Sequence, residues 1–405
     1  MDVEVISSEA GWDALEAAWD PLVERSASAS VFLTWEWLRP WWRHFRGEGD
    51  ALYVLAAREG GTLVGLAPLY RGTVSAHGLG SLSRLGFIGD CSGDSEYLGV
   101  IAEPGREAAV LAGVFDRIEA DGWDVAELRL MPTGSPTCQG VQQLAAGRGW
   151  LLETEDVPCS SVALPDDWDS YLKTLQSRFR GKIRSLLRRL PEEHDAVFER
   201  CECVEELPER LESMVALHQR RWRAEGLPGA FADGRRRRFY DDLSERLLAR
   251  GWLRFYSLRL GQRWVAHEYS FEHLGRVYYL QQGFDAECGK LSVGIALKAH
   301  AIRESIAGGA REYDFLGGIA PHKEKWGATP KPCAHVTIAR PGLRTRWHLW
   351  LPRFAERLRD GGRALTPRPL LDLKRGIQRR LRQRRAEQFA DESAEPQDHE
   401  QREDP

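Results

Sequence analysis

The pattern of apolar and polar residues predicts alternating helices and strands over residues 1–342. Short runs rich in β-branched and aromatic residues, such as ALYVLAA and TLVGLAPLYRG, are joined by Gly-containing turns, which is typical of antiparallel hairpins. Segments with apolar residues every three or four positions predict helices near residues 205–224 and 234–249. Both halves have the same order: helices, a strand meander, then strand, helix and strand. The pattern predicts an α/β (α+β) fold with mixed, mainly antiparallel sheets flanked by helices.

Changes in composition divide the chain into four predicted parts. We expect one domain at 1–160, a second at 161–342, a basic amphipathic helical extension at 343–386 and a disordered acidic tail at 387–405. The run CAHVTIAR is expected to be the last strand of the second domain. The extension holds about fourteen Arg or Lys residues against three acidic ones, so it can either lie on an anionic membrane or pack on the protein.

Composition argues against several classes of protein and site. The net charge is only -4, which gives no global argument for a nucleic-acid partner, although the basic run at 178–189 leaves contact with tRNA open. The seven cysteines are scattered without a CxxC pair, so neither a disulfide framework nor a metal site is predicted. The start of the chain is acidic and no long uncharged apolar run follows, so we expect a cytoplasmic protein, with peripheral membrane contact through the basic extension as an option.

The stretch 276–327 predicts a strand, a turn, a helix and a second strand. The strand VYYLQQ leads into a turn bracketed by Gly283 and Gly289, where the backbone can approach a ligand closely. The helix is expected to start at Ser292 as an N-cap, with its apolar face on Ile295 and the residues at helical spacing after it. A helix that begins in this way presents unpaired N–H groups and is a candidate phosphate site.

Three side chains near this stretch are candidates for acid–base chemistry. Asp314 is the one carboxylate in an apolar strand, where it is either a desolvated base or a cap for neighbouring backbone. In the strand RWVAHEYSF, alternation sends His267 and Glu268 to opposite faces, so one of them must point inward. His267 is a base candidate because imidazole titrates near neutrality, and a hydrogen-bonded core histidine is the alternative.

The residues also resemble a known family. The run Leu291-Ser292-Val293-Gly294 after a Tyr-rich strand and Gly-Phe-Asp, followed by YDFLGG, resembles GNAT acetyltransferase-like proteins of the CelD (cellulose biosynthesis) type. The segment HKEKWG at 322–327 resembles a pattern of the Fem peptidyltransferases. The resemblance covers about residues 30–340 and implies two tandem GNAT-like domains.

The resemblance implies an N- or O-acyltransferase that uses acetyl-CoA or another acyl-CoA and acts on a sugar or cell-envelope precursor, a small-molecule or glycan acceptor. Two departures stand out: Val293 replaces the usual Pro, and the family's pyrophosphate pattern is absent from ECGKLSVG. Acyl-CoA use is therefore implied by the resemblance and not by that motif. The expected donor contacts are Gln281, Gly283, Lys290, Leu291, Ser292, Val293 and Gly294.

The resemblance also implies roles in the reaction. Asp314 or His267 is the expected base, with Glu268 as the other candidate on its strand, and Lys323 is expected to contact the acceptor or the oxyanion. The expected substrate contacts are Tyr279, Asp285 and Trp326. Two alternatives stay open: transfer from aminoacyl-tRNA, as in the Fem enzymes, and a non-catalytic scaffold in polysaccharide assembly.

Overall fold

The computed structural model describes residues 1–365. The helices are α1 Glu9–Asp13, α2 Glu16–Arg25, α3 Trp35–Phe45, α4 Glu107–Asp121, α5 Pro136–Arg148, α6 Trp168–Thr174, α7 Ser177–His194, α8 Leu207–Ala224, α9 Gly234–Ala249, α10 Val293–Ala307, α11 Pro321–Glu324 and α12 Leu343–Leu365. The strands are β1 Asp2–Ile6, β2 Ala51–Glu59, β3 Thr62–Ser75, β4 Ser81–Phe87, β5 Ile101–Ala102, β6 Val125–Pro132, β7 Leu151–Asp156, β8 Cys159–Ala163, β9 Ala196–Arg200, β10 Leu253–Leu260, β11 Arg263–His273, β12 Arg276–Phe284, β13 Glu312–Gly317, β14 Thr329–Lys331 and β15 Cys333–Ala339. The acidic tail and the second half of the basic extension lie outside the described residues.

The strands form two sheets with the same internal order. The first sheet runs β1-β2-β3-β4-β6-β15-β7, and the second runs β9-β10-β11-β12-β13-β8-β14 when read from its other edge. In each, an antiparallel meander ends in a strand that pairs in parallel with the next one, β4 with β6 and β12 with β13. A helix makes each crossover, as parallel pairing requires. The predicted fold class, two tandem sheets flanked by helices, is confirmed.

The two halves exchange a strand, which the sequence did not predict. We expected β15 to close the second sheet, but it lies in the first sheet between β6 and β7. In return β8, a strand that the sequence interpretation missed, leaves the first half and pairs with β13. The physical reason is that a short apolar strand carries no local signal for which of two sheets it will join. Strand β15 lies within the predicted second domain, 161–342, although it belongs to the first sheet, and β8 spans the predicted boundary at 160.

One aromatic core joins the two halves. Phe32 and Trp37 of the first half are fully buried and pack edge-to-face on the second half, with ring centres 5.4 Å apart for Phe32 and Tyr278 and also 5.4 Å for Trp37 and Phe239. Such pairs contribute about 0.5–1.5 kcal/mol each beyond the area that they bury. The shared core fixes the second sheet, which holds the site described below, against the first. Within residues 1–365, no helix has both the length and the apolar composition that a membrane crossing needs.

Candidate active site

Strands β12 and β13 pair over only three residues and then separate. The parallel pairs are Arg276 with Glu312, Val277 with Tyr313 and Tyr278 with Asp314. Beyond Tyr278, β12 stays with β11, whereas β13 continues along β8. The separation leaves a gap between two neighbouring strands of the sheet, and the first turn of α10 lies beside it.

A cavity of about 330 Å³ occupies this gap. Its walls come from the end of α8, from β12 and β13, from the start of α10 and from the loop around α11. The lining residues are His218, Arg221, Trp222, Tyr279, Gln281, Gln282, Gly294, Ile295, Lys298, Phe315, His322 and Trp326. Of the predicted donor and substrate contacts, Gln281, Gly294, Tyr279 and Trp326 are brought together here.

The first turn of α10 begins differently from the prediction. Ser292 occupies the N-cap position, but its backbone is left-handed (φ 51°) and its side chain caps no N–H. Among the described residues nothing accepts a hydrogen bond from the N–H groups of Val293 or Gly294. Gln282 fixes this turn from the strand, since its Nε2 donates to the Gly294 carbonyl at 3.1 Å. Two N–H donors and the positive end of the helix dipole are therefore available at the cavity.

Arg221 brings a charge to the cavity that no described residue neutralises. Its guanidinium makes no ion pair or hydrogen bond within residues 1–354, and its Nε is buried without a partner. The guanidinium lies over two rings, at 5.0 Å from the centres of both Trp222 and Phe284. A positioned arginine with unused donors is suited to a carboxylate or phosphate.

Lys298 and Glu268 form a buried ion pair at the cavity wall. Lys298 Nζ lies 3.0 Å from Glu268 Oε2 and 3.1 Å from the centre of the Tyr279 ring. The hydroxyl of Tyr313 donates to the other Glu268 oxygen. Burial lowers the pKa of Lys298 to about 8, and the neighbouring Glu268 carboxylate only partly offsets this effect. Lys298 is therefore a cation whose proton can be given up near neutral pH.

His267 points away from the cavity, towards α8. It is fully buried, with Nδ1 2.8 Å from Ser257 Oγ and Nε2 2.9 Å from Ser213 Oγ. Burial, followed by the charge of Arg210, lowers its pKa to about 3. Of the two neighbours on β11, Glu268 is thus the one that faces the site, and His267 is the hydrogen-bonded core histidine.

His322 lies at the mouth of the cavity, on the loop that follows β13. Its side chain is exposed, and partial burial together with four nearby cations lowers its pKa below 6.5. The imidazole is therefore neutral at pH 7, as a base must be, and it can exchange a proton with water. The sequence pattern HKEKWG contains His322 but did not predict a role for it.

The side chain of Lys323 is hydrogen-bonded to backbone carbonyl groups. Its ammonium donates to the carbonyls of residues 315–318, at 2.9, 3.3, 2.6 and 3.1 Å. Burial lowers its pKa. These bonds hold the loop between β13 and α11, which leads to His322 and Trp326, and Lys323 itself is not among the residues that line the cavity.

Asp314 lies on the face of β13 opposite to Tyr313 and Phe315. It accepts hydrogen bonds from the hydroxyl of Tyr97 at 2.9 and 2.8 Å and from the Leu316 N–H at 2.8 Å, and Lys331 Nζ is 3.2 Å away. Burial raises its pKa. Tyr97 and Lys331 line a second cavity, of about 460 Å³, between the two sheets. Asp314 therefore ties the halves together and does not face the cavity between β12 and β13.

Several of the predicted donor contacts, and Asp285 among the predicted substrate contacts, lie outside the cavity lining. A Cβ on Gly283 would stand 2.5 Å from the carbonyl of Met214, so this glycine is needed for the close packing of α8 on β12. Asp285 is buried, caps the Glu287 N–H at 2.9 Å and pairs with Arg263 at 3.2 Å. Lys290 is exposed outside the cavity lining, and Leu291 and Val293 pack on the apolar cluster beneath α10.

The sequence interpretation missed most of the charged lining, although one signal was available. Lys298 lies three residues after Ile295 and four before Ile302, which places it on the apolar face of α10, where a solvated lysine would not be. The predicted apolar face itself is confirmed, since Ile302 and Ile306 are buried in one cluster. Arg221 and His218 had no such signal, because they sit in an ordinary charged helix end.

Comparison with known proteins agrees with this geometry. Residues 177–324 match the family model of an acetyltransferase (GNAT) domain. A comparison with curated proteins finds no match. The chain is similar to the crystal structure of FemX over 83% of its own length and 97% of FemX, with a TM-score of 0.58 and 13% identity. It is also similar to a conserved protein of unknown function from Bacteroides thetaiotaomicron VPI-5482, with a TM-score of 0.52 and 12% identity over 84% of this chain and 100% of that one.

Identities this low show the fold alone. The chain is a mixed α/β protein with two sheets of repeated strand order flanked by helices, and residues 177–324 are similar to GNAT acetyltransferase domains.

Proposed function

We propose that the protein is a GNAT-type acyltransferase, which transfers an acyl group from an acyl-CoA such as acetyl-CoA to an amine or a hydroxyl. The observation that carries this proposal is the parting of β12 and β13 beside the start of α10, which opens a cavity of about 330 Å³. All of the residues that line it except Trp326 lie within the stretch that matches the GNAT family model.

The donor would be held by its negative charge. A pyrophosphate placed at the start of α10 would accept hydrogen bonds from the N–H groups of Val293 and Gly294 and benefit from the helix dipole. The unpaired guanidinium of Arg221 would add a charge-assisted contact, worth about 1.5–3 kcal/mol. These contacts replace the family's absent glycine-rich pattern, because they depend on the backbone and on one arginine.

The remaining groups suit the transfer step. The acceptor's nitrogen or oxygen attacks the thioester carbonyl carbon, the carbon–sulfur bond breaks, and the acceptor's proton goes to the neutral imidazole of His322. The ammonium of Lys298 is placed to stabilise the negative charge that develops on the carbonyl oxygen or on the departing thiolate. Glu268 and Tyr313 keep that ammonium oriented.

The acceptor would be a sugar or cell-envelope precursor, as the CelD and Fem resemblances suggest. The fold shared with FemX keeps an aminoacyl-tRNA donor as the second candidate. Both candidates use the same cavity but differ in the donor, so the donor is the quantity to measure.

Two assays on the full chain test the proposal. Acetyl-CoA or CoA should raise the melting temperature, and a ligand at about 100 times its Kd adds roughly 2.7 kcal/mol to the free energy of unfolding. Thiol release from acetyl-CoA should then depend on added amino sugars or other amines. Absence of a thermal shift at millimolar CoA, with a shift on addition of aminoacyl-tRNA, would replace the first candidate by the second. Absence of both would leave a binding protein without transferase activity.

A further inference from the structure

A stripe of exposed apolar side chains runs along α12. Leu343 is 88% exposed, Trp350 47%, Phe354 41% and Trp347 37%. The three aromatic rings stack along the helix, with centres 5.4 Å apart for Trp347 and Trp350 and 4.6 Å for Trp350 and Phe354. At 3.6 residues per turn, the four positions fall within about 60° of one another around the helix axis. The stripe is therefore one continuous face.

The opposite side of α12 is fixed to the first sheet. Thr345, His348 and Leu349 are buried, about 130–170° around the helix from the centre of the stripe. Leu349 packs in a cluster with residues of β3, β4, β6 and β15, and His348 Nδ1 lies 3.0 Å from the Ser75 carbonyl. The helix thus has its own packing face, and the aromatic stripe is not the face that holds it to the protein.

Arginines flank the stripe on both sides. Arg344 lies about 90° to one side, and Arg346 and Arg353 lie about 80° to the other. Arg353 also pairs with Glu153 at 2.9 Å, which anchors this flank to β7. Two exposed leucines extend the apolar surface beyond the helix, Leu79 on the turn after β3 and Leu152 on β7, at 49% and 42% exposure.

Basic residues are concentrated in the part of the sequence that begins with α12. Between Arg344 and Arg385 there are fourteen Arg or Lys residues and three acidic ones, whereas the whole chain has a net charge of -4. Apolar aromatic side chains between two rows of arginine are the pattern of a helix that lies in the interface of a bilayer with anionic lipids. A second copy of the chain is disfavoured as the occupant, because pairing two stripes would bring their arginines together.

We infer that the aromatic stripe of α12 (Leu343, Trp347, Trp350 and Phe354) docks the protein on the surface of an anionic phospholipid bilayer. The rings enter the boundary between headgroups and acyl chains while the flanking arginines meet lipid phosphates. This inference rests on α12 and is independent of the acyl transfer proposed for the second half. The sequence alone left open whether the extension contacts a membrane or packs on the protein. The inference assigns membrane contact to the exposed face of α12 and packing to its opposite face.

Flotation of the full chain with lipid vesicles tests the inference. The protein should float with vesicles of phosphatidylcholine and phosphatidylglycerol, at least tenfold more than with phosphatidylcholine alone, and less as salt is raised. The triple variant Trp347→Ser/Trp350→Ser/Phe354→Ser should lose at least tenfold in partitioning and keep its melting temperature. The matched control Val204→Ser/Leu274→Ser removes apolar residues that are 47% and 59% exposed elsewhere and should bind as the parent does.

Tryptophan fluorescence gives a second readout that a folding defect cannot imitate. Anionic vesicles should shift the emission to shorter wavelength, and Trp347→Phe/Trp350→Phe should still float while losing most of that shift. Equal flotation of the triple variant and the parent would overturn the inference, and so would an unchanged shift in the Phe variant. A dimer that the triple variant abolishes, in a protein that does not float, would assign the stripe to a second copy and overturn it as well.

Discussion

Removing the Glu268 carboxylate tests whether Lys298 is a buried cation whose proton is held by its partner. Both side chains are nearly inaccessible, with 8% exposure for Lys298 and 0% for Glu268. In Glu268→Gln the amide still accepts from Tyr313, but the attraction that raises the pKa of Lys298 is gone. We therefore expect that pKa to fall below about 8, so that Lys298 loses its proton in the folded state near neutral pH.

The size of the effect on stability follows from the free energy needed to remove the proton of Lys298. At pH 7, keeping a lysine neutral costs about 5 kcal/mol relative to an ordinary lysine of pKa 10.5, at 1.36 kcal/mol per pH unit. The parent already loses about 3 kcal/mol, because the pKa of Lys298 is lowered to about 8. The variant can therefore lose at most about 2 kcal/mol more through this lysine at pH 7. That is less than the 3–5 kcal/mol usual for breaking a buried pair, since the lysine can release its proton.

The pH dependence has a definite sign. A lysine whose folded pKa is lowered binds more protons in the unfolded state, so stability rises with pH between the folded and the unfolded pKa. In the parent this window runs from about pH 8 to 10.5, and in Glu268→Gln it extends to lower pH. The difference in stability between the two proteins should thus be small at pH 9 and grow as the pH falls from 8 to 6.

Urea unfolding of both proteins at pH 6, 7, 8 and 9 measures this difference. The double variant Glu268→Gln/Lys298→Met should remove the contribution of Lys298 to the pH dependence, because no ammonium remains at this position. Glu193→Gln is the matched control, since it breaks the exposed pair with Arg189 and should change the free energy of unfolding by less than about 1 kcal/mol. A loss of equal size at pH 6 and pH 9 would refute the assignment of a buried, proton-exchanging Lys298.

Three further predictions concern the cavity. Arg221→Ala should raise the Kd for CoA by about 10- to 100-fold, because a charge-assisted contact is lost, and should change the free energy of unfolding by less than about 1 kcal/mol. Arg220→Ala, at the exposed neighbouring position, should change neither quantity. An unaltered Kd in Arg221→Ala would contradict the role of Arg221. His322→Gln should lower kcat. It should also remove the rise of kcat/KM with pH that we expect for the parent below pH 6.5. A variant that keeps this rise would exclude His322 as the base. Lys323→Met leaves four carbonyls without their donor and should lower the free energy of unfolding, measured with urea, by about 2–4 kcal/mol. A loss below about 1 kcal/mol would show that the loop keeps its structure without this lysine.

Local pattern predicted the element that builds the site. The order of β12, α10 and β13 and the apolar face of α10 follow from residues that are close in sequence, where strand alternation and helical spacing are strong signals. The fold class followed from the same order of elements. The residues Tyr279, Gln281 and Gly294 lie on these elements, and they are among the predicted contacts that line the cavity.

Long-range geometry could not be predicted from such patterns. Alternation showed that His267 and Glu268 face opposite ways, but only packing against α8 and α10 decides which of them meets the cavity. The same holds for Asp314, whose partners Tyr97 and Lys331 come from 217 and 17 residues away in sequence. The exchange of β8 and β15 depends on sheet edges that form only when both halves fold.

Calorimetric titration of CoA tests the central claim most directly, that the gap between β12 and β13 holds the acyl donor. Gly294→Leu puts a side chain at the cavity, where an added Cβ would already be 3.2 Å from Phe284, and Gly289→Leu is its control because nothing lies within 4 Å of an added Cβ there. The account predicts one CoA site in the parent and in Gly289→Leu, and at least a tenfold weaker site in Gly294→Leu. Equal affinity in all three proteins, or no binding to the parent, would contradict it.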